Sequence, residues 1–111
     1  MIDNIHNIFP IDKDSAEKIF LSNNAEKICH AMVAIALHEQ DWKWVQDKCL
    51  YFLTNDNPEI SGLAATCLGH IARIHRQIEK DKVIPLLRSR LNNPDIAGQI
   101  EDALSDIAMF T

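Results

Sequence analysis

The feature that most constrains the fold is a repeat of 36 residues in the second half of the chain. An Asn-Pro-acid triplet begins at Asn57 and again at Asn93. Each triplet offers an Asn cap, a proline for the first helical position and an acid near the positive end of the helix dipole. The segments 58–74 and 94–110 are identical at six of seventeen positions. These positions are Pro58/Pro94, Ile60/Ile96, Gly62/Gly98, Leu68/Leu104, Ile71/Ile107 and Ala72/Ala108.

A further helix is predicted before each copy, at residues 41–53 and 81–91, so the repeating unit is helix, short turn, helix. Apolar residues recur at three- and four-residue steps almost throughout, and no segment alternates as a strand does. A period of this length, built from antiparallel helix pairs, is typical of an α-solenoid. The sequence therefore predicts an all-α fold, a short right-handed α-solenoid of about three antiparallel helix pairs. A closed bundle of the same helices is the alternative.

The 111 residues are the length of one domain, and we predict a single helical-repeat domain over 1–111. The second helix pair is assigned to 41–77 and the third to 81–110. Residues 1–40 are predicted to form an N-terminal cap and a degenerate first pair, because terminal units of such stacks are atypical.

Within that N-terminal part, Asp14 with Glu17 is expected to cap a helix that ends near Leu21. Asn24 is expected to open a longer helix that runs to His38. Residues 1–11 are predicted to fold back as a cap, because four apolar residues fall on helical spacing before Pro10. These residues are Ile2, Ile5, Ile8 and Phe9.

The charge balance argues against several partners. Sixteen acidic and eleven basic residues give a formal charge of −5, which repels phosphate backbones and anionic lipid. Arg90 is the last basic residue, and the segment after it carries four acids, which suit a basic protein partner or form a solvated helix face. No stretch is long and apolar enough to span a membrane and no secretion signal is seen, so a cytoplasmic location is expected. The four acids are Asp95, Glu101, Asp102 and Asp106.

Motifs for catalysis or metal binding are absent from the sequence. It contains no HExxH, P-loop or GxSxG motif, and the five-residue spacing of His70 and His75 does not suit a ligand pair. We therefore expect neither an enzyme nor a metal or cofactor site. Three cysteines are predicted to be reduced core residues, and three isolated glycines to permit close helix packing. They are Cys29, Cys49 and Cys67, and Gly62, Gly69 and Gly98.

Four segments carry a resemblance to a known family. They are DWKWVQDKCL (41–50), AATCLGHIARIH (64–75), VIPLL (83–87) and AGQIEDALSDIAMF (97–110). Over residues 40–110 the chain resembles small bacterial HEAT-repeat-like proteins, a group that includes immunity proteins against contact-dependent growth-inhibition toxins. The resemblance implies a HEAT-like solenoid that binds and neutralises a cognate toxin. The first 40 residues depart most from that pattern, and they are expected to carry partner specificity or a variable cap.

The aligned helices bring a polar row together. In the repeat register Thr66 and His70 correspond to Asp102 and Asp106, and Arg73 lies within reach of Asp106. The row is expected either to form a hydrogen-bonded ladder between repeats or to present acids to a basic partner. Glu101 and Asp102 are the preferred partner contacts.

A second candidate contact is Asp41 with Trp42 at the start of a helix. Trp44 is expected to point into the core, which leaves Trp42 either as an exposed interface anchor or as a half-buried cover over the preceding loop. Tyr51 has the same ambiguity.

Our hypothesis is an immunity protein that docks an acidic helical surface onto the cationic cleft of a cognate toxin, most simply an RNase. Opposite fields favour such an encounter, and one protein monomer is expected to bind one toxin domain. The competing hypotheses are a generic HEAT-like adaptor with an endogenous partner and a DNA glycosylase of the helical-repeat class, whose basic groove the charge does not support.

Overall fold

Residues 8–111 are described by the structure, a computed structural model, and in this part the chain is all-α, as predicted. None of its helices combines the length and the apolar character needed to cross a bilayer. The helices are α1 (Lys13–Phe20), α2 (Ala25–His38), α3 (Trp42–Leu53), α4 (Pro58–His75), α5 (Lys80–Ser89) and α6 (Ala97–Phe110).

Side-chain caps fix where the first helices begin. Asn24 caps α2 as predicted, and its side-chain oxygen accepts a hydrogen bond from the Lys27 N–H at 3.0 Å. The cap predicted for α1 was wrong by two residues. Asp12, rather than Asp14, precedes the helix and accepts from the Ser15 N–H at 2.7 Å. Both acids lie near the positive end of the helix, but only the first has the extended backbone of a cap.

The two Asn-Pro-acid triplets share a local hydrogen bond but not a helix start. The side chain of Asn57 accepts from the Glu59 N–H at 2.9 Å, and that of Asn93 accepts from the Asp95 N–H at 3.0 Å. Helix α4 begins at the proline as predicted. The prediction was wrong for α6, where residues 94–96 form a turn first. Ile96 leaves helical geometry there with φ −127° and ψ 1°, so the helix begins only after it, at Ala97.

The helices pack in consecutive pairs around a central α4. Helix α4 contacts α2, α3 and α6, while α1 packs on α2 and α5 packs on α6. Helix α3 also contacts α5, so the first helices of the second and third pairs touch, as their second helices α4 and α6 do. These contacts are those of a stack of helix pairs. The stack is short, because its three dimensions are nearly equal at 30 × 28 × 27 Å. That the repeat is of the HEAT type remains a prediction. The largest fully buried apolar side chains are Met32, Ile35, Leu53, Leu68, Ile71, Leu87, Ile96, Ile100 and Ile107.

The predicted N-terminal cap is not helical where the structure describes it. Residues 8–12 lack helical structure, and Phe9 is 73% exposed instead of packed on the first pair. Pro10 disfavours the helical conformation at Phe9, which accounts for the absence of a helix there, while the Ile8 carbonyl lies 2.9 Å from the His38 Nε2 at the end of α2. Only Ile11 packs against the core. Ile2 and Ile5 lie outside the described residues.

Two of the three glycines allow α4 and α6 to approach closely. A Cβ built on Gly69 meets the Ala103 Cα at 3.4 Å, and one built on Gly62 meets the Ile96 Cγ2 at 3.4 Å. Gly98 faces open space, so the packing role predicted for it was wrong.

Candidate functional site

A polar cleft of about 320 Å³ lies between α4 and α6. The repeat explains its position, because equivalent faces of two successive helices meet there. Helix α4 contributes Thr66 and Arg73, and α6 contributes two acids, a serine and an alanine. We call this the α4–α6 cleft. Its lining residues are Thr66, Arg73, Asp102, Ala103, Ser105 and Asp106.

Arg73 links the two walls of the cleft. Its Nε lies 3.7 Å from the Asp106 Oδ2, which is the contact expected from the repeat register. Its Nη2 donates to the His70 Nδ1 at 2.7 Å. A guanidinium cannot accept a hydrogen bond, so the neutral His70 ring carries its proton on Nε2. Burial and the Arg73 charge lower the pKa of His70, while Asp106 opposes them. His70 is therefore neutral at pH 7.

The remaining acids of α6 leave negative charge uncompensated. Glu101 and Asp102 are exposed, and no ion pair of either is found among residues 8–111. Arg73 is engaged with Asp106, so the cleft and its rim carry a net negative charge. The Thr66 hydroxyl donates to the Gly62 carbonyl of its own helix at 3.2 Å and does not bridge to Asp102. Within this polar row, the contact between α4 and α6 is therefore the one that Arg73 makes with Asp106.

Asp41 and Trp42 are placed away from this cleft, at the start of α3. Asp41 caps the helix by accepting from the Trp44 N–H at 3.3 Å, and it pairs with the Lys13 Nζ at 2.7 Å. The Lys13 hydrogen bond and the Trp44 N–H lower the pKa of Asp41. Trp42 is half-buried, as the covering alternative expected. A role for either residue in partner binding remains a prediction.

Trp44 is not the core residue that the sequence predicted. Its ring is half-buried and lies near two ammonium groups, with the Lys13 Nζ 5.4 Å and the Lys48 Nζ 5.5 Å from the ring centroid. The faces of an indole attract cations, so the ring suits the surface between α1 and α3. Val45 and Gln46 point inward in its place.

A second surface depression was missed by the sequence analysis. It has a volume of about 490 Å³ and lies between α1 and α3. Leu21 is 85% exposed and Tyr51 is 72% exposed along it, while Phe20 and Phe52 pack edge-on beneath at 5.1 Å between ring centroids. We call this the α1–α3 groove. The apolar pair Phe20 and Leu21 at a helix end was the signal that could have indicated it.

The cysteines lack the environment of a nucleophile. A hydrogen bond with Cys49 and burial raise the pKa of the Cys67 thiol well above its ordinary value. Both thiols are fully buried, as predicted, whereas Cys29 is only partly buried, which corrects its assignment to the core. In the described part of the chain no three potential metal ligands cluster together.

The fold matches that of a solved structure. The chain aligns with the crystal structure of a CDI complex from Cupriavidus taiwanensis LMG 19424 with a TM-score of 0.83 and 28% identity, over 91% of each chain. This is the fold of a CDI complex component. The resemblance to proteins of contact-dependent growth-inhibition (CDI) systems is thereby confirmed. No protein-family model and no curated protein matches the sequence.

Proposed function

We propose that this chain is a CDI immunity protein, a non-enzymatic inhibitor that binds and neutralises a cognate toxin. The observation that supports the proposal most is the fold shared with a CDI complex along 91% of both chains. The resemblance of residues 40–110 to immunity proteins points the same way. The described part of the molecule offers a binding surface rather than a set of reactive groups.

The chemistry of the α4–α6 cleft suggests the kind of toxin. Asp102 and Glu101 are exposed acids without an ion pair among the described residues, and Asp106 lies beside them with one weak pair. An enzyme that cleaves a polyanion needs a cationic cleft, which is complementary to this surface. We infer a nuclease toxin, most simply an RNase, whose substrate entrance is covered in a complex of one protein with one toxin domain.

The size of the chain fits such a complex. A standard interface buries about 800 Å² on each partner, which is a modest share of the 6467 Å² accessible surface of the chain. Opposite charges would accelerate encounter and discriminate against toxins with a different pattern, while a packed centre supplies most of the affinity.

A pair of matched charge reversals tests this surface. Asp102→Lys and Asp47→Lys both replace an exposed acid at the sixth residue of a helix, so they change the net charge equally. The ligand is the basic toxin domain that co-purifies with the tagged protein from its native host. Asp102→Lys, alone or with Glu101→Lys, should weaken binding of this domain by about tenfold or more at low salt. Asp47→Lys should leave binding nearly unchanged.

Thermal unfolding is the control for both variants. Surface changes of this kind shift stability by about 0.5 kcal/mol or less, so the melting temperatures should stay close to the wild-type value. Equal weakening by both variants would mean that net charge, and not this cleft, drives binding. Unfolding of the Asp102→Lys variant would instead give the residue a structural role.

The α1–α3 groove favours one other function. Its exposed Leu21 and Tyr51 are typical of a surface that receives an apolar segment of another protein, as in an adaptor with an endogenous partner. A housekeeping complex recovered in place of a toxin, with binding lost on Tyr51→Ala, would support the adaptor.

A further inference from the structure

An exposed methionine continues the acidic face of α6. Met109 is 70% exposed and lies seven residues after Asp102, which places both side chains on one face of the helix. At 1.5 Å per residue the two positions are about 10 Å apart along the helix axis. Ser105 lies between them on the same face and is also exposed.

The packing of α6 does not account for Met109. Ile100, Ala103 and Ile107 fill the buried face of the helix, and Met109 is outside that set. Phe110 next to it is half-buried, and Arg76 covers its ring at 5.1 Å. Ile107 is therefore buried and Phe110 half-buried, whereas the large apolar side chain of Met109 is left in water.

The cations nearby are already engaged. Arg73 donates to His70 and pairs with Asp106, and Arg76 stacks on Phe110. Arg73 shares the α4–α6 cleft with Asp102, but neither guanidinium forms an ion pair with Asp102. This face therefore presents a negative charge at one end and an apolar side chain at the other.

We propose that Met109 is the apolar anchor of the toxin-binding surface. The fitting partner is a protein surface that presents a cationic side chain for Asp102 and an apolar depression for Met109, about 10 Å apart. The inference rests on the proposed function and assigns its interface an apolar centre. A methionine suits this role because its unbranched thioether adapts to an irregular depression, and methionine is enriched in interface cores.

Two exposed apolar residues on different surfaces form a matched test. Met109→Ser and Leu21→Ser each remove one exposed apolar side chain, and Met109→Leu retains an apolar group of similar volume. Calorimetric titration measures binding of the same toxin domain at about 50 mM and about 500 mM NaCl, where charge interactions differ strongly in screening.

We expect Met109→Ser to weaken binding by about tenfold at both salt concentrations. Met109→Leu and Leu21→Ser should bind like the wild type. The loss caused by Asp102→Lys should shrink at high salt, because screening acts on charge and not on apolar contact. Melting temperatures should be unchanged in all four, since the replaced side chains are exposed.

The outcomes separate this inference from the proposed function. Wild-type affinity of Met109→Ser, together with weak binding of Asp102→Lys, overturns the anchor and leaves the immunity role standing. Weak binding of Leu21→Ser alone places the interface in the α1–α3 groove and overturns the anchor as well. A chain that binds no toxin domain refutes both proposals.

Discussion

A buried glutamine that links α3 to the start of α5 gives the sharpest prediction about the fold. Gln46 is fully buried, its side-chain oxygen accepts from the Glu79 backbone N–H at 2.8 Å, and its Nε2 donates to the Glu79 Oε1 at 2.7 Å. Glu79 precedes α5, which has no side-chain cap of its own. Gln46 therefore fixes the chain where the second pair leads into the third.

Gln46→Met keeps the volume of the side chain and removes both hydrogen bonds. The Glu79 backbone N–H then loses its partner in a partly buried place, and an unsatisfied donor costs about 1–3 kcal/mol. For a domain of this size that corresponds to a fall of about 5–15 °C in the melting temperature. Urea unfolding followed by circular dichroism measures the same free energy.

Gln99→Met is the matched control, because Gln99 is an exposed glutamine on α6. It should change the free energy of unfolding by less than about 0.5 kcal/mol. If the two variants unfold alike, the link from Gln46 to Glu79 contributes nothing and the reasoning fails.

The same pair predicts a pH dependence. The Gln46 hydrogen bond, and then Lys82, lower the pKa of Glu79 below its ordinary value of 4.5. A carboxylate whose folded pKa is lowered stabilises the fold above its unfolded pKa, and this contribution is lost as the pH falls through the folded pKa. The difference in the free energy of unfolding between wild type and Gln46→Met should therefore be largest near about pH 7. It should shrink as the pH falls through the folded pKa of Glu79. A difference that does not change with pH would contradict the lowered pKa of Glu79 and its hydrogen bond with Gln46.

Three further predictions use other parts of the molecule. Leu68→Ala should destabilise the fold by about 2–5 kcal/mol in urea unfolding because Leu68 is fully buried in α4, whereas Ile74→Ala at a 47% exposed site should cost less than about 1 kcal/mol. The His70 ring should titrate below its ordinary pKa of 6.5 by NMR, and a midpoint at or above that value would refute its contact with Arg73. A thiol reagent should modify Cys29 in the folded protein, and rapid reaction of the other two thiols would contradict their burial.

The sequence predicted best where local capping chemistry and helical periodicity agree. Asn24 and Asn57 each precede a helix and accept a hydrogen bond from its first turn. These contacts span two or three residues, so they can be read from a short stretch of sequence. The start of α6 could not, because the triplet at Asn93 makes the same local hydrogen bond as the one at Asn57, yet the helix begins only after Ile96.

The repeat also predicted which side chains meet between α4 and α6. Arg73 and Asp106 come together because successive second helices run side by side, and Gly69 marks where they approach most closely. The direction of the Thr66 hydroxyl depends on competition with its own helix carbonyl, which a register does not reveal.

Exposure on the outer helices was harder to predict. Trp44 is half-buried, and its ring contacts Lys13 and Lys48 from two different helices. No prediction about Met109 came from the sequence, and the orientation of α6 shows that it faces water. Both depend on contacts between elements that are far apart along the chain.

Inhibition of a toxin by this chain can be measured by titrating the RNA-cleaving activity of the toxin domain. The toxin domain that co-purifies with the tagged protein is mixed with RNA and increasing amounts of the purified chain. Cleavage should fall to background at one equivalent of the chain, and Asp102→Lys should shift the inhibition to higher concentrations. A toxin domain that binds the chain and still cleaves RNA at full rate would contradict the blocking of its active site, and the absence of any such domain would contradict the immunity role.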